Sequence, residues 1–236
     1  MAISDVLKPG SKIDIRFLNQ GGGKVYKSSV FDYVSATEME ITMPTDNGKM
    51  VLFQNGTACE FLFYTMSGLY NCETIVTNRY KKEGFYLLLV RITSVPKKFQ
   101  RREHFRVSYL QDFLYFKIPK EVAEMEKTSD LINEVTKIHY IAEKQIGTLK
   151  DLSGGGIRFI TGEELEVDSY ILSVLRVSDD KTFYLATRII ACEPAEQLRN
   201  KYLVRARFEY KDEEDQESLI KFVFEEDRRI RKKENW

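Results

Sequence analysis

KIDIRFLNQGGGKVYKSSVFDYV, residues 12–34, decides the fold class. KIDIRFL (12–18) alternates, with Ile13, Ile15 and Phe17 on one face. That is the period of a half-buried strand. GGGK (21–24) is a turn signal, and VYKSSVFDYV (25–34) is the next run. The pattern continues through MEITMP (39–44), MVLFQ (50–54), CEFLFYT (59–65), YNCETIVTNRY (70–80) and FYLLLVRI (85–92). Asn47-Gly48, Asn55-Gly56, Ser67-Gly68 and Glu83-Gly84 separate the runs. Short runs at roughly even spacing predict a closed or sandwiched β domain. No βα repeat occurs, which argues against a doubly wound α/β fold.

SVPKKFQ (94–100) marks a boundary. Pro96 cannot donate to a strand ladder, and the cationic residues around it suit a connector. The β pattern then resumes in FRVSYL (105–110), LYFKIP (114–119), IHYIAEKQIGTLKDL (138–152), GIRFIT (156–161), YILSVLRV (170–177), FYLATRIIACE (183–193) and KYLVRARFEY (201–210). The expected organisation is therefore all-β dominated, with two barrel-like domains in tandem at 1–96 and 97–236. EVAEMEKTSDLINEV (121–135) is acidic and poor in β-branched residues, and predicts a helical insertion. Residues 213–233 predict a C-terminal helix, with Leu219, Ile220, Val223, Phe224 and Ile230 near one stripe. Its acidic start and basic end complement the helix dipole.

Lys plus Arg and Asp plus Glu both number 36, so no global field exists to hold DNA or an acidic membrane. Any anion site must be local. Cys59, Cys72 and Cys192 have no metal spacing and read as reduced thiols. No basic n-region precedes an apolar run, and no run approaches the ~20 residues that span a bilayer. A cytoplasmic protein without membrane insertion is expected.

Two clusters carry chemistry. QRREHFRV (100–107) supplies Arg101, Arg102 and Arg106. Guanidinium is planar, always charged, bidentate toward phosphate and able to stack on flat rings. Arg102 and Arg106, four apart, share a face in a helix or a strand. DLSGGGIRF (151–159) puts Asp151 and Ser153 two apart, on one side of an extended chain, followed by Gly154, Gly155 and Gly156. Carboxylates accept from base amino groups, and glycines permit close approach to the backbone. Each cluster also has a plain structural reading: a solvated arginine group, and a tight β-turn.

Together, RxxxR and DxSxxG in a small β domain resemble the PilZ domain, which binds cyclic di-GMP on a six-stranded barrel. The matching residues are Arg102 and Arg106, then Asp151, Ser153 and Gly156. RARFEY (205–210) looks like the family's late strand, ahead of its C-terminal helix. Residues 1–98 resemble the N-terminal split barrel of YcgR-type flagellar brake proteins, through GSKIDI, YKSSVFDY, ITMPTDNGKMVLFQNG and YNCETIVTNR. The 121–135 insertion is longer than the family pattern.

The resemblance implies a receptor rather than an enzyme. Arg102 and Arg106 would contact phosphates and stack on a guanine. Asp151 and Ser153 would read the guanine edge, and Gly154, Gly155 and Gly156 would let the ligand lie on the backbone. Arg101, just before the motif, favours an intercalated ligand pair. Residues 97–106 would form a mobile linker that closes on the ligand and changes the arrangement of the domains. The implied partners are flagellar motor stator or rotor proteins, with recruitment to the basal body and slower swimming. Control of exopolysaccharide synthesis is the alternative.

Other classes have less support. A single-stranded nucleic-acid barrel conflicts with the balanced charge. A flavin-dependent split-barrel enzyme would be yellow. Gly21-Gly22-Gly23-Lys24 lacks GxxxxGK[ST] and no helix follows. His104, inside the arginine motif, has two readings, a hydrogen bond to the ligand or, with more support, an exposed strand histidine, and His139 has no ligands at metal spacing. No Ser–His–Asp order or nucleophilic cysteine stands out. No cofactor or metal is expected.

Overall fold

The computed structural model describes residues 7–18, 24–46, 48–137, 143–196 and 198–234. Gly21 to Gly23, Asn47, His139 and the start of the run at 138 lie outside the described residues. The chain divides into two units, Met1–Arg101 and Arg102–Trp236.

The first unit contains β1 (Lys12–Phe17), β2 (Tyr26–Tyr33), β3 (Glu38–Thr42), β4 (Thr45–Asp46), β5 (Lys49–Met50), β6 (Ala58–Thr65), β7 (Gly68–Lys82), β8 (Phe85–Ile92) and β9 (Lys97–Phe99). Strands run β1-β6-β7-β8-β3-β2, and a β1–β2 pairing closes them into a six-stranded antiparallel barrel. The alternation in KIDIRF is observed: Ile13 and Ile15 are fully buried. They pack with Ile41, Phe61, Phe63, Leu88 and Val90. Glu83-Gly84 turns β7 into β8, with φ of 51° and 87°. The expected strand MVLFQ stops at Met50. Phe53 instead leaves the ladder and is buried against Phe17 (centroids 4.8 Å) and Tyr26 (5.5 Å). Burying that ring outweighs two or three more edge hydrogen bonds.

The second unit contains β10 (Arg106–Ser108), β11 (Asp112–Ile118), α1 (Lys120–Ala123), α2 (Thr128–Val135), β12 (Gln145–Ser153), β13 (Gly156–Thr161), β14 (Tyr170–Arg176), β15 (Thr182–Pro194), β16 (Tyr202–Glu209) and α3 (Glu213–Glu234). Strands β12-β11-β14-β15-β16-β13 close through β12–β13 into a second six-stranded antiparallel barrel, and β10 pairs with the end of β12. Phe113, Tyr115 and Phe159 interlock in its centre. Leu219 and Val223 of α3 belong to the same core, whereas Phe224 is half exposed.

The helical insertion consists of two short helices. Val122, Ala123, Leu131 and Val135 bury against Ile118, Leu172 and Ala186, forming a satellite core on the outside of β14 and β15. The insertion thus covers one barrel face. The unit boundary falls at Arg101, a few residues beyond the expected one. Lys97–Phe99 is not a free connector: it pairs with β7, with Phe99 opposite Leu69.

Cys59 and Cys72 are buried in the first barrel, and burial pushes both thiols up to about 12, with Glu60 and Glu73 adding to the effect at Cys72. A thiol reagent at neutral pH should leave both unmodified in the native chain and label both in denaturant. Native labelling of either, read by mass spectrometry, would contradict this packing.

Candidate ligand site on the second barrel

The site begins with one extra residue. In β12, Gly147 and Leu149 face the core, and strict alternation would send Asp151 inward as well. The β12–β13 register shifts between Leu149 and Asp151, leaving Lys150 as a bulge. A bulged residue reverses the facing of the strand residues beyond it. Leu152 therefore becomes the core residue, and Asp151 and Ser153 turn outward.

β10 then lies antiparallel on this outward edge. Arg106 is opposite Ser153, Val107 opposite Leu152, and Ser108 opposite Asp151. Val107 is buried in the core, so Arg106 shares the outer face with Asp151 and Ser153. The two sequence clusters meet through backbone pairing. Arg102 lies in irregular chain before a bend at 103–104, so strand parity does not relate it to Arg106.

Asp151 does not face solvent alone. Its carboxylate forms an ion pair with Arg158, its cross-strand neighbour on β13. The Ser153 hydroxyl donates to the Gly156 carbonyl at 3.0 Å and accepts from the Gly155 amide at 3.4 Å. Ser153 is 7% exposed, so its hydroxyl first holds the hairpin end. Both residues sit on the expected side of the strand, and both already have protein partners.

The glycines have a packing reason of their own on the side where a Cβ would stand. A Cβ at Gly154 would meet Ile220 of α3 at 2.3 Å, and one at Gly155 would meet His104 at 2.5 Å. One at Gly156 would lie 2.1 Å from the Ala206 carbonyl oxygen of β16. The chain itself fills the space these glycines leave. The Gly154 carbonyl accepts from Tyr210 Oη at 2.8 Å. Burial pushes the Tyr210 pKa up, which keeps that hydroxyl a donor.

The same contacts settle the arginine loop. His104 is half-buried on a bend, packed against Gly154 and Gly155, rather than exposed on a strand. Phe105 stacks on Phe224 of α3, centroids 5.7 Å and planes 17° apart. The two ends of the stretch expected to be mobile are held: Lys97–Phe99 on one strand, His104 and Phe105 on the hairpin and α3. Arg101 belongs to the first unit. Its guanidinium lies over the Tyr64 ring at 5.4 Å and donates to Tyr64 Oη at 3.0 Å. Tyr64 donates in turn to Asp14 at 2.7 Å, and Lys27 pairs with the same carboxylate at 2.6 Å.

Sequence reading did not single out Arg158 or Tyr210, took His104 for an exposed strand residue and placed Ile220 only on the helix stripe. Arg158 had a signal, since it stands two residues after Gly156 on the same strand face. The others are joined to the hairpin only by tertiary packing. Among the described residues no group of His, Cys, Asp and Glu could hold a metal ion. No helix there is long and apolar enough to cross a membrane.

A family model described as the PilZ domain matches residues 100–225, and one described as flagellar protein YcgR matches residues 8–92. Among solved structures, the Bacillus subtilis inhibitor of motility MotI/DgrA is similar with TM-score 0.72 and 14% identity, over 94% of this chain and 98% of that one. Escherichia coli YcgR in complex with c-di-GMP gives TM-score 0.53 and 13% identity, over 98% and 90%. The transcription regulatory factor MrkH gives 0.50 and 14%, over 91% and 83%. Similarity at these identities is one of fold. No curated protein sequence matches the chain.

Replacing Gly156 by Ala should cost more than about 2 kcal/mol, because backbone rather than a side-chain tip blocks the Cβ. Tyr210→Phe should cost about 1 kcal/mol, the net worth of one buried hydrogen bond. Urea midpoints of the second domain's transition measure both. A neutral Gly156→Ala would refute the hairpin packing.

Proposed function

The chain belongs to the PilZ family, with a YcgR-type domain ahead of the PilZ domain, and from that premise we propose that it is a cyclic di-GMP receptor acting by binding rather than catalysis. The observation that carries this is the β10–β12 register. It sets Arg106 beside Ser153 and Ser108 beside Asp151 on one outer face, which supports the reading of both motifs as parts of one ligand site. A relative of the same fold, Escherichia coli YcgR, was solved with c-di-GMP.

The ligand is a dianion bearing two guanines. Arg102 and Arg106 supply charge-assisted bidentate contacts to phosphate, and one guanidinium stacks on a guanine. The Asp151 carboxylate accepts from the guanine edge with the oxygen that Arg158 does not occupy. Ser153 offers lone pairs, because its proton is directed at Gly156. Each good contact contributes roughly 1–3 kcal/mol, enough in combination for micromolar binding after ordering costs.

Ligand binding draws residues 100–103 toward the second barrel, between a strand that ends at Phe99 and an anchor at His104 and Phe105. Arg101 leaves Tyr64 to stack on a second, intercalated ligand. The loaded receptor then changes its interdomain arrangement and acts on flagellar stator or rotor proteins. Support for motility comes from the N-terminal YcgR match and from the inhibitor of motility that shares the fold.

Calorimetric titration with cyclic di-GMP, beside GTP and cyclic di-AMP, tests the reading. Selective binding with two ligands per chain is expected. Arg102→Ala should abolish both the heat and the ligand-dependent change in small-angle scattering. Arg101→Ala should lower the stoichiometry from two to one. Absence of binding by the wild-type chain would overturn the receptor assignment, and a wild-type stoichiometry of one would overturn the paired ligand.

A further inference from the structure

The outer face that carries the two motifs continues across the barrel. The ladder runs Arg106 opposite Ser153, Ser153 opposite Gly156, Gly156 opposite Arg207, and Arg207 opposite Arg188. The row just inside it, Val107, Leu152, Ile157, Ala206 and Ile189, is buried throughout. The parity is therefore fixed on every strand, and Arg207 projects on the same side as Arg106, Asp151 and Ser153. Adjacent strands are about 4.8 Å apart, so Arg106 and Arg207 begin about 14 Å apart, with the small Ser153 and the side-chain-free Gly156 between them. The result is a low strip with a guanidinium at each end.

The arginines of this region differ in their engagement. Arg158 pairs with Asp151, Arg205 with Glu193, and Arg188 with Asp168 through both Nε and Nη2. Arg207 is exposed and makes no hydrogen bond or ion pair with a described residue. Glu209, two residues along the same strand face, is the nearest acidic position in sequence on β16. An exposed guanidinium without a carboxylate partner, one strand from the second motif, has its planar donor fork available.

We propose that Arg207 is a further ligand-contacting residue, a specificity determinant that donates to the O6/N7 edge of a guanine lying over Gly156. The proposal rests on the cyclic di-GMP reading above and extends that site onto β16. Asp151 and Ser153 are acceptors suited to the amino side of guanine. Arginine supplies the complementary donors for O6 and N7, which adenine, with an amino group in place of O6, does not match. The two strands thereby read opposite polarities of one base.

The test is calorimetric titration of the full chain with cyclic di-GMP, using Arg207→Ala, Arg207→Lys and Arg205→Ala. Arg205→Ala removes the same charge from the same strand face and is the control. Arg207→Ala should weaken binding roughly tenfold or more with an unchanged unfolding midpoint. Arg207→Lys should restore only part, because an ammonium lacks the planar fork. Arg205→Ala should stay within about twofold of wild type. Arg207→Ala within about twofold of wild type, or an equal loss in Arg205→Ala, would overturn the inference while leaving the receptor reading intact. No binding by the wild-type chain would overturn both.

Discussion

A single inserted residue, Lys150, determines that Asp151 and Ser153 lie on the outer face of the second barrel. Upstream of it, odd-numbered residues of β12 face the core; downstream, the even-numbered Leu152 does. Without the bulge, Asp151 and Ser153 would be buried among Phe113, Tyr115 and Phe159, where an ionised carboxylate is costly. The bulge also increases local twist at the point where β10 joins the sheet. The rest of the site depends on that reversal: the pairing with Arg106, the ion pair with Arg158, and the row that continues to Arg207.

The hairpin end beyond the bulge is held from several sides. Ser153 closes it from within, Tyr210 holds the Gly154 carbonyl, Ile220 fills the space beside Gly154, and His104 covers Gly155. The three glycines are explained by these close contacts. Their role is to let the hairpin, α3 and the arginine loop occupy one small volume. α3 is thereby part of the site's foundation, since Leu219 and Val223 anchor it in the core while Ile220 and Phe224 reach the hairpin and Phe105. The last turn of the same helix carries Arg231, Lys232 and Lys233.

Much of this was legible from residue order. The strand alternation, the helical insertion and the terminal helix follow from local period and side-chain type, which the chain expresses without tertiary help, and the two PilZ-like motifs are read from residue order. What was misjudged depended on distant partners. MVLFQ has strand composition, yet Phe53 found a buried aromatic niche. Lys97–Phe99 looked like a cationic connector, yet a free edge of β7 offered hydrogen bonds. His104 looked exposed, because nothing near it in sequence reveals Gly155 some fifty residues later.

Residue order alone predicts two β barrels in tandem and, through its resemblance to the PilZ domain, groups Arg102, Arg106, Asp151 and Ser153 as candidate ligand residues. Composition, periodicity and paired motifs suffice for that, since each is a property of the chain rather than of its neighbours. Packing alone fixes which way Asp151 and Ser153 point and what already holds them. Strand register and bulge position are set by summed packing over the whole barrel, so the outward turn of Asp151, the engagement of Arg158 and the exposure of Arg207 exist only once every strand has found its partner.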